Sequence, residues 1–185
     1  MELPAQTAAG KVLWHFSMSL DGFVAGPGDS LDFLDGVTAA RPGIVEEYVA
    51  TTGAVLGGRR GWDAYPDPKA VYGGLWDGPL FVLTHHPDDA VAAEGVTFLD
   101  CDLGEAVRIA KDAADGKNVE VLSASVGTQL LQAGLLDEIH LHLVPVLLGD
   151  GVRLYDVPGG SPVALRHLVG DEPRVEVDLR LAPVR

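Results

Sequence analysis

The sequence has little cysteine, no long apolar run and no recognisable targeting segment. Cys101 is the one cysteine among 185 residues, which excludes an intrachain disulfide and a cysteine-rich metal site and is typical of the reducing cytoplasm. No apolar run approaches the roughly 20 residues of a membrane span, so we expect no membrane insertion. The segment 1–10 lacks a basic region followed by an apolar core and is interpreted as a flexible lead-in rather than a secretory signal.

Positive charge is also scarce. The chain carries 13 Lys+Arg against 27 Asp+Glu, a formal net charge of -14. Nucleic acid needs a dense positive face, so this composition argues against a nucleic-acid partner. A small anionic ligand needs only a local positive site, and it remains possible.

Three motifs of common enzyme classes are missing. The sequence contains no Gly-x-Ser-x-Gly elbow and no Gly-x-x-x-x-Gly-Lys-Ser/Thr phosphate loop. No Gly-x-Gly-x-x-Gly follows the first predicted strand, so a bound dinucleotide would not occupy a standard Rossmann fold.

Strand and helix patterns alternate through the middle of the chain, while an antiparallel-looking set of strands ends it. This order predicts one α/β domain over 11–185, with a mixed sheet covered by helices on both faces. Helices are predicted at 42–50, 59–65, 103–114 and 125–133, and 68–79 is interpreted as a surface loop. Strands are predicted at 11–17, 54–56, 80–84, 96–99, 119–122, 138–144, 164–169 and 174–181.

The stretch AVLGGRRGW, Ala54 to Trp62, places two of the few cations directly after a buried strand. A helix that opens near Arg59 would present unpaired N–H groups to an anion, and Arg59 and Arg60 would add forked donors suited to phosphate. The alternative is a strand-to-helix turn whose arginines pair with surface carboxylates. The residues alone leave both open.

Two further strand ends carry polar or small residues. Ser123-Ala124-Ser125 precedes a helix, where the serines either cap the helix or admit a phosphate to the backbone amides. In the stretch LTHH, Thr84, His85 and His86 could contact a ribose or its phosphate. Because ligands of parallel sheets bind beyond the carboxyl ends of the strands, two such turns would suit a dinucleotide.

Two other candidates have ordinary explanations. Asp21, in SMSLDGFV, either completes an Asp-Gly turn or contacts a substrate at the mouth of the sheet. His140 and His142 share one face of a predicted strand, but a third metal ligand is not evident, and we favour solvated or packed histidines over a metal site.

Four stretches, in order, resemble the dihydrofolate reductase-like superfamily, and more closely the reductase domain of bifunctional riboflavin-biosynthesis proteins and its stand-alone bacterial relatives. They are SMSLDGFVAGPGD, VLGGRRGWD, LFVLTHHP and VLSASVGTQLLQAGLLDEIHLHLVPVLLGDGVRLYD. The resemblance spans roughly residues 11 to 182. It implies a three-layer α/β/α fold with a mixed, mainly parallel central sheet that binds NADPH across the strand ends.

The resemblance also implies roles for individual residues. Ser19 and Asp21 would line the substrate site, and no catalytic acid is identified. Many relatives carry glycine at Ser123 and threonine at Gly61, so these two positions depart from the pattern. The implied NADPH-binding residues are Gly58, Arg59, Arg60, Gly61, Thr84, His85, Ser123, Ala124, Ser125 and Val126.

Three hypotheses about function follow, and the third is a structural or partner-binding module that binds no cofactor. The first is a cytoplasmic NADPH-dependent reductase that passes hydride to a small pyrimidine- or pterin-like substrate, related to 5-amino-6-(5-phosphoribosylamino)uracil reductase and dihydrofolate reductase. The alternative is a binding protein of the same fold without turnover. A homodimer is expected, partly from the resemblance and partly because late sheet edges need cover.

Overall fold

A computed structural model describes residues 5–168 and 179–181. In this part of the chain no helix combines the length and apolar character that crossing a membrane requires. The α-helices are α1 (Ile44–Thr51), α2 (Arg59–Ala64), α3 (Leu103–Ala114) and α4 (Ala124–Gln132). The strands are β1 (Val12–Ser19), β2 (Phe23–Ala25), β3 (Thr52–Gly58), β4 (Leu80–Leu83), β5 (Val96–Leu99), β6 (Asn118–Val121), β7 (Glu138–Val144) and β8 (Val152–Arg153).

Six strands form the central sheet in the order β5-β4-β3-β6-β1-β7, and every pairing between them in the described residues is parallel. The mainly parallel sheet expected from the resemblance is therefore confirmed. The sequence predicts an antiparallel-looking set at the end of the chain, but its first strand, β7, runs parallel to β1 with His15 opposite His140. The alternating pattern of β7 reports burial on one face and carries no information about direction. The later predicted strands lie partly outside the described residues, so the direction of the set as a whole stays a prediction.

Helices α3 and α4 cover one face of the sheet. Val12, Trp14 and Leu56 from the strands pack with Ala106 and Leu130 from the helices, and all are almost fully buried. Side-chain caps at their N-termini mark where these two helices begin. Asp102 accepts a hydrogen bond from Glu105 N (2.9 Å), as the sequence predicts, and Ser123 accepts one from Val126 N (3.3 Å).

The opposite face is covered less completely. Helices α1 and α2 and a 3₁₀ segment (Pro68–Gly74) lie over it, and a smaller core contains Val55, Trp62 and Trp76. The prediction of a surface loop at 68–79 is therefore only partly right. Trp76 is buried and donates Nε1–H to Thr52 O (3.0 Å), so an indole surrounded by glycines still anchors this segment to the sheet.

The two ends of the chain are described in part. Within 5–10, part of the predicted flexible lead-in, Ala9 N donates to the buried Asn118 Oδ1 (3.1 Å), and Asn118 Nδ2 donates to Thr7 O (2.8 Å). Residues 164–168 and 179–181 form no strand, although strands are predicted at 164–169 and 174–181. The rest of those two predicted strands, 169 and 174–178, lies outside the described residues.

Two helical glycines provide a test of packing. A Cβ at Gly127 would lie 2.1 Å from Trp14 Cε2, whereas a Cβ at Gly61 would have nothing within 4 Å. Both Gly→Ala changes gain the same helix propensity, about 1 kcal/mol. We expect Gly127→Ala to lower the free energy of unfolding by about 1–3 kcal/mol because Trp14 cannot move away, and Gly61→Ala to leave it unchanged or raised. Urea denaturation measures both, and equal effects would contradict this packing.

Candidate functional site

Two cavities lie at the carboxyl edge of the parallel strands. The smaller has a volume of about 330 Å³ and is bordered by Arg59, Thr84, His85 and Gln129. The larger, about 790 Å³, extends along the less covered face of the sheet, from Ser123 to His15 and His142. Gly58, Arg60 and Ser125 border both, so together they form one elongated cleft.

Arg59 stands at the rim of the smaller cavity with most of its donors already engaged. Its Nε donates to Asp63 (2.7 Å), and its Nη1 donates to Asp89 (2.7 Å) and to His86 O (2.8 Å). Hydrogen bonds to Asp89 and Asp63 raise the pKa of the guanidinium. Arg59 therefore pairs with surface carboxylates, as one of the two interpretations of the turn holds, and it also borders the smaller cavity.

Arg60 and Gly61 lie between the two cavities. The Arg60 side chain is 69% exposed and donates Nε–H to Asp29 (2.7 Å), a pair that water weakens. Gly61 borders the larger cavity and has open space where a side chain would be. Gly58 is the N-cap of α2, and a Cβ there would lie 2.6 Å from Ser123 Oγ, so the two predicted turns are in direct contact.

Thr84 and His85 follow β4 as predicted, but they play different parts. Thr84 is buried, and its hydroxyl accepts a hydrogen bond from His86 N (3.1 Å), which shapes the turn. The His85 side chain is 92% exposed and lies 3.5 Å from Asp100. The imidazole is therefore available to a ligand of the smaller cavity.

The second turn surrounds the N-terminus of α4. Ser123 caps the helix, as the ordinary interpretation holds, and its Oγ lies 3.3 Å from Ser125 Oγ. Ala124 borders the larger cavity, Val126 the smaller, and Ser125 both. The amides of the first helical turn have no intrahelical acceptor.

Ser19 and Asp21 are engaged with protein partners. Buried Ser19 donates its hydroxyl to Asp21 Oδ1 (2.7 Å) and accepts from Phe23 N (2.9 Å). Asp21 also accepts from Leu148 N (3.1 Å) and Gly149 N (2.7 Å). The Ser19 hydroxyl and these loop amides lower the pKa of Asp21 to about 2. Neither residue borders the larger cavity, and their role toward a substrate stays a prediction.

A buried polar cluster, which the sequence did not reveal, lies at the inner end of the larger cavity. Glu120 is fully buried in the central strand β6, where it accepts hydrogen bonds from the hydroxyls of Thr52 and Tyr72. His15 Nδ1 lies 3.2 Å from Glu120 Oε2, and His15 Nε2 lies 2.8 Å from His142 Nε2. A carboxylate and two imidazoles thus form a continuous chain that ends at the cavity.

A second polar chain runs beside the first. His140 lies 2.8 Å from Glu138 Oε2 and 3.0 Å from Tyr48 OH, whose ring stacks on His15 at 4.1 Å. In the described residues no group of histidine, cysteine and carboxylate side chains has the geometry of a metal site. His140 and His142 each have hydrogen-bond partners within the protein, and the preference for packed histidines over a metal site stays a prediction.

Burial determines how three members of this cluster ionise. Burial, with the Glu120 charge next in size, raises the pKa of both Tyr48 and Tyr72, so their hydroxyls stay protonated. Burial, and then the neighbouring His15, lowers the pKa of His142 to about 4. His142 is consequently neutral at physiological pH.

One signal for this cluster was present in the sequence. The segment NVEV is a short strand with a carboxylate in the middle, and a parallel strand in the centre of a sheet is buried on both faces. Glutamate in such a strand needs polar partners. Nothing in the sequence identifies those partners, because Thr52, Tyr72 and His15 are brought to Glu120 by three different elements.

The sheet, its helix layers and the cleft at the carboxyl edge define an α/β protein of the dihydrofolate reductase-like class. The family described as RibD C-terminal domain matches residues 10–171. The chain belongs to this family. It is also 25% identical over 146 residues to the uncharacterized protein YwjB of Bacillus subtilis (strain 168), covering 78% of this chain and 82% of that protein.

Solved structures share the fold at low sequence identity. A putative riboflavin biosynthesis protein from Shewanella sp. PV-4 has a TM-score of 0.64 at 21% identity, covering 82% of this chain and 86% of that one. A diaminohydroxyphosphoribosylaminopyrimidine deaminase/5-amino-6-(5-phosphoribosylamino)uracil reductase from Thermotoga maritima has a TM-score of 0.58 at 14% identity, covering 88% of this chain and 54% of that one.

Dihydrofolate reductase from Enterococcus faecalis, in complex with NADP(H), has a TM-score of 0.54 at 16% identity, covering 89% of this chain and 90% of that one. These likenesses confirm the three-layer fold.

Asp21→Asn tests the structural part of the first turn. The side-chain NH₂ of asparagine would face one of the backbone N–H groups of Leu148 and Gly149, which now donate to the carboxylate. We therefore expect a lower free energy of unfolding at neutral pH. The pKa of Asp21 is lowered from its ordinary value of 3.8 to about 2. The ionised carboxylate therefore stabilises the native protein fully above pH 3.8, and this contribution is lost as the pH falls toward 2. The difference between native protein and variant should therefore shrink in acid.

Urea midpoints at several pH values measure this difference. Asp88→Asn is the matched control, since Asp88 is exposed and makes no hydrogen bond or ion pair. A constant difference across the acid range for Asp21→Asn would contradict the assignment.

Proposed function

We propose that this protein is an NADPH-dependent reductase of a small heterocyclic compound. The observation that carries the proposal is the elongated cleft, whose two cavities meet at Gly58, Arg60 and Ser125. A dinucleotide has separated phosphates and two ring systems, which suits two cavities that share a border. Membership of a reductase domain family supports the same conclusion.

The residues at the cleft fit a phosphorylated dinucleotide. Gly61 leaves open space at the junction, and the N-terminal turn of α4 offers amides to a pyrophosphate. Arg59 and His85 would take the 2′-phosphate in the smaller cavity. To bind the phosphate, Arg59 would give up its hydrogen bonds to Asp89 or Asp63. The side chains of Asp63 and Asp89 are 49% and 71% exposed, so water can solvate the released carboxylate at little cost in free energy.

The chemistry requires little covalent participation from the protein. When bound, NADPH supplies a hydride, and no side-chain nucleophile is needed, consistent with the absence of such a motif. The chain's own residues bind and orient the reactants. Val55, Val82 and Leu122 form an apolar floor of the larger cavity, which excludes water from the reacting atoms.

The larger cavity has the size and lining for a planar heterocycle. Tyr48 and Tyr72 border it with rings that can pack on a flat ligand, and His142 offers a polar atom at its edge. A pyrimidine such as the aminouracil named for the Thermotoga maritima structure combines these features, as does a pterin. We propose a substrate of this class.

The alternative is binding of such a ligand without turnover. Ser123 and Gly61 favour it, because the first adds a side chain where a phosphate would approach the backbone and the second lacks the hydroxyl donor of a threonine. NADPH oxidation in the presence of dihydrofolate or 5-amino-6-(5-phosphoribosylamino)uracil separates the two functions. Binding of cofactor without oxidation by either compound would favour the alternative.

Titration with NADPH and with NADH tests the cofactor assignment directly. Trp62 borders the larger cavity, so its fluorescence should report binding. We expect NADPH to bind at least about tenfold more tightly than NADH, because charge-assisted hydrogen bonds to the 2′-phosphate contribute about 1.5–3 kcal/mol. Arg59→Gln should remove most of this difference while leaving NADH affinity nearly unchanged.

Arg108→Gln is the matched control. Arg108 is likewise bonded to two carboxylates, Glu105 and Asp112, but it lies on α3 and borders neither cavity. Equal losses in the two variants, or equal affinity of the native protein for NADPH and NADH, would contradict a 2′-phosphate site at Arg59.

We also propose that the protein is a homodimer. Leu141 and Leu143 of β7 are 37% and 45% exposed, which is unusual for neighbouring leucines in a strand. Sedimentation at micromolar concentration should give a dimer, and Leu141→Lys should shift it toward monomer. Leu75→Lys, at an exposed leucine elsewhere, is the control. A monomeric native protein would contradict the proposal.

A further inference from the structure

The hydrogen-bonded series from Glu120 through His15 to His142 has two arrangements of hydrogen atoms when Thr52 and Tyr72 donate their hydroxyl hydrogens to Glu120. His15 Nδ1 lies 3.1 Å from Tyr72 OH and 3.2 Å from Glu120 Oε2. With the Tyr72 hydrogen directed to Glu120, both oxygens are acceptors toward His15, and His15 Nδ1 carries hydrogen. The remaining question is where hydrogen lies between the two imidazoles.

His15 Nε2 and His142 Nε2 are 2.8 Å apart, so one of them donates to the other. If His15 is neutral, His142 donates from Nε2, and its Nδ1 is an acceptor. If His15 carries a second proton, it donates from Nε2, and a neutral His142 must then hold hydrogen on Nδ1. One proton added at His15 thus converts His142 Nδ1 from acceptor to donor.

His142 Nδ1 is the end of this chain. No residue in the described part of the structure forms a hydrogen bond with it, although the ring borders the larger cavity. Since the lowered pKa of His142 keeps its own ring neutral, a proton held by the chain belongs to His15, next to the buried carboxylate. The hydrogen bonds thus connect the buried Glu120–His15 pair with the larger cavity through His142.

Titratable and charged groups surround the hydrogen-bonded side chains of Glu120, His15 and His142. They include the two phenols with raised pKa values and two ion pairs, Arg41–Glu47 at α1 and Lys11–Glu138 at the start of β1. His140 stands beside His15 and is bonded to Glu138. The groups that contact or act on His15 or His142 are Glu120, Tyr48, Tyr72, His140 and Arg41. Glu138, Lys11 and Glu47 lie beyond them, since Glu138 pairs with Lys11 and His140, and Glu47 pairs with Arg41.

We propose that Glu120, His15 and His142 form a proton relay in which His142 Nδ1 protonates the substrate in the larger cavity. The proposal rests on the proposed function for its reductant, a nicotinamide dinucleotide. As hydride adds to the carbon of a C=N or C=O bond, the heteroatom takes the proton from His142 Nδ1. His142 Nε2 then takes the proton of His15 Nε2, and His15 returns to its neutral form.

The balance of this step is complete. The reductant gives two electrons and one hydrogen, the relay gives one proton, and water restores the proton to the relay after turnover. His142 is the catalytic residue because it touches the substrate. His15 and Glu120 are positioning residues that act through it.

The tautomers can be observed without turnover. Long-range ¹H–¹⁵N correlation spectra of protein labelled in its histidines report which ring nitrogens carry hydrogen. We expect His142 to stay neutral and to occur in two tautomers, with hydrogen on Nε2 in some conditions and on Nδ1 in others, in spectra recorded over a series of pH values. A single His142 tautomer across this series would overturn the relay.

Two variants and one control sharpen the experiment. Glu120→Gln removes the buried carboxylate and should reduce the Nδ1–H form of His142, because a protonated His15 loses its charged acceptor. His142→Gln can keep a hydrogen bond to His15 at a half-buried position and is expected to fold even if Glu120→Gln does not. His85→Gln, at a 92% exposed imidazole of the smaller cavity, should leave the tautomers of His142 unchanged.

5,6-Diaminouracil serves as a ligand probe, since it is the ring of the aminouracil assayed above. It should shift the His142 nitrogen resonances and leave those of exposed His85 unchanged. In an enzyme active on one of the two compounds, His142→Gln should lower kcat about a hundredfold or more and abolish its pH dependence, with NADPH affinity unchanged.

The two proposals fail in different ways. Absence of NADPH binding with an intact tautomer change contradicts the proposed function and leaves the relay in place. Unchanged kcat in His142→Gln, or a probe that shifts no His142 resonance, contradicts the relay whatever the cofactor affinity.

Discussion

Parallel pairing of the six central strands is the constraint on which the rest of the structure depends. When all strands run in one direction, every turn that follows a strand lies at the same edge of the sheet. Residues as distant in sequence as Gly58, Thr84 and Ser123 are therefore neighbours there. The close approach of Gly58 to Ser123 Oγ follows from this arrangement, and glycine is required because a Cβ would collide with the hydroxyl.

The less covered face of the sheet holds a costly feature. Burying Glu120 in the central strand removes a carboxylate from water, and only dense hydrogen bonding offsets that cost. Thr52, Tyr72 and His15 provide this bonding, and in the described residues no deeply buried polar side-chain atom is left without a partner. An apolar residue at Glu120 would be simpler for stability, so the cluster invites a functional explanation.

The acidic composition of the chain bears on the arginines of the cleft. In a protein of net charge -14, guanidinium groups find carboxylates readily, and Arg59 is held by two of them. These contacts keep the side chain extended at the rim of the smaller cavity. An anion that replaces one carboxylate would meet a donor group already in position, which reduces the entropy cost of binding.

The sequence alone determined the elements with strong local signals. The helix α3 began where Asp102 predicted, because a side-chain cap is formed within one turn, and Gly134 ends α4 with a positive φ of 68°. The turns at Arg59 and Ser123 were also predictable, since each follows an apolar strand directly. The family resemblance added the layer order and the parallel direction of most strands.

Only the tertiary structure decided the rest. Alternation in Glu138–Val144 could not reveal a parallel pairing with β1, and the segment 164–168, predicted as part of a strand, forms none. The hydrogen-bonded series Glu120–His15–His142 joins three strands, and its first two members are 105 positions apart in the sequence. Local sequence patterns report burial and capping, which act within a few residues. Hydrogen bonds between distant strands depend on register, and register is set by the packing of the whole sheet.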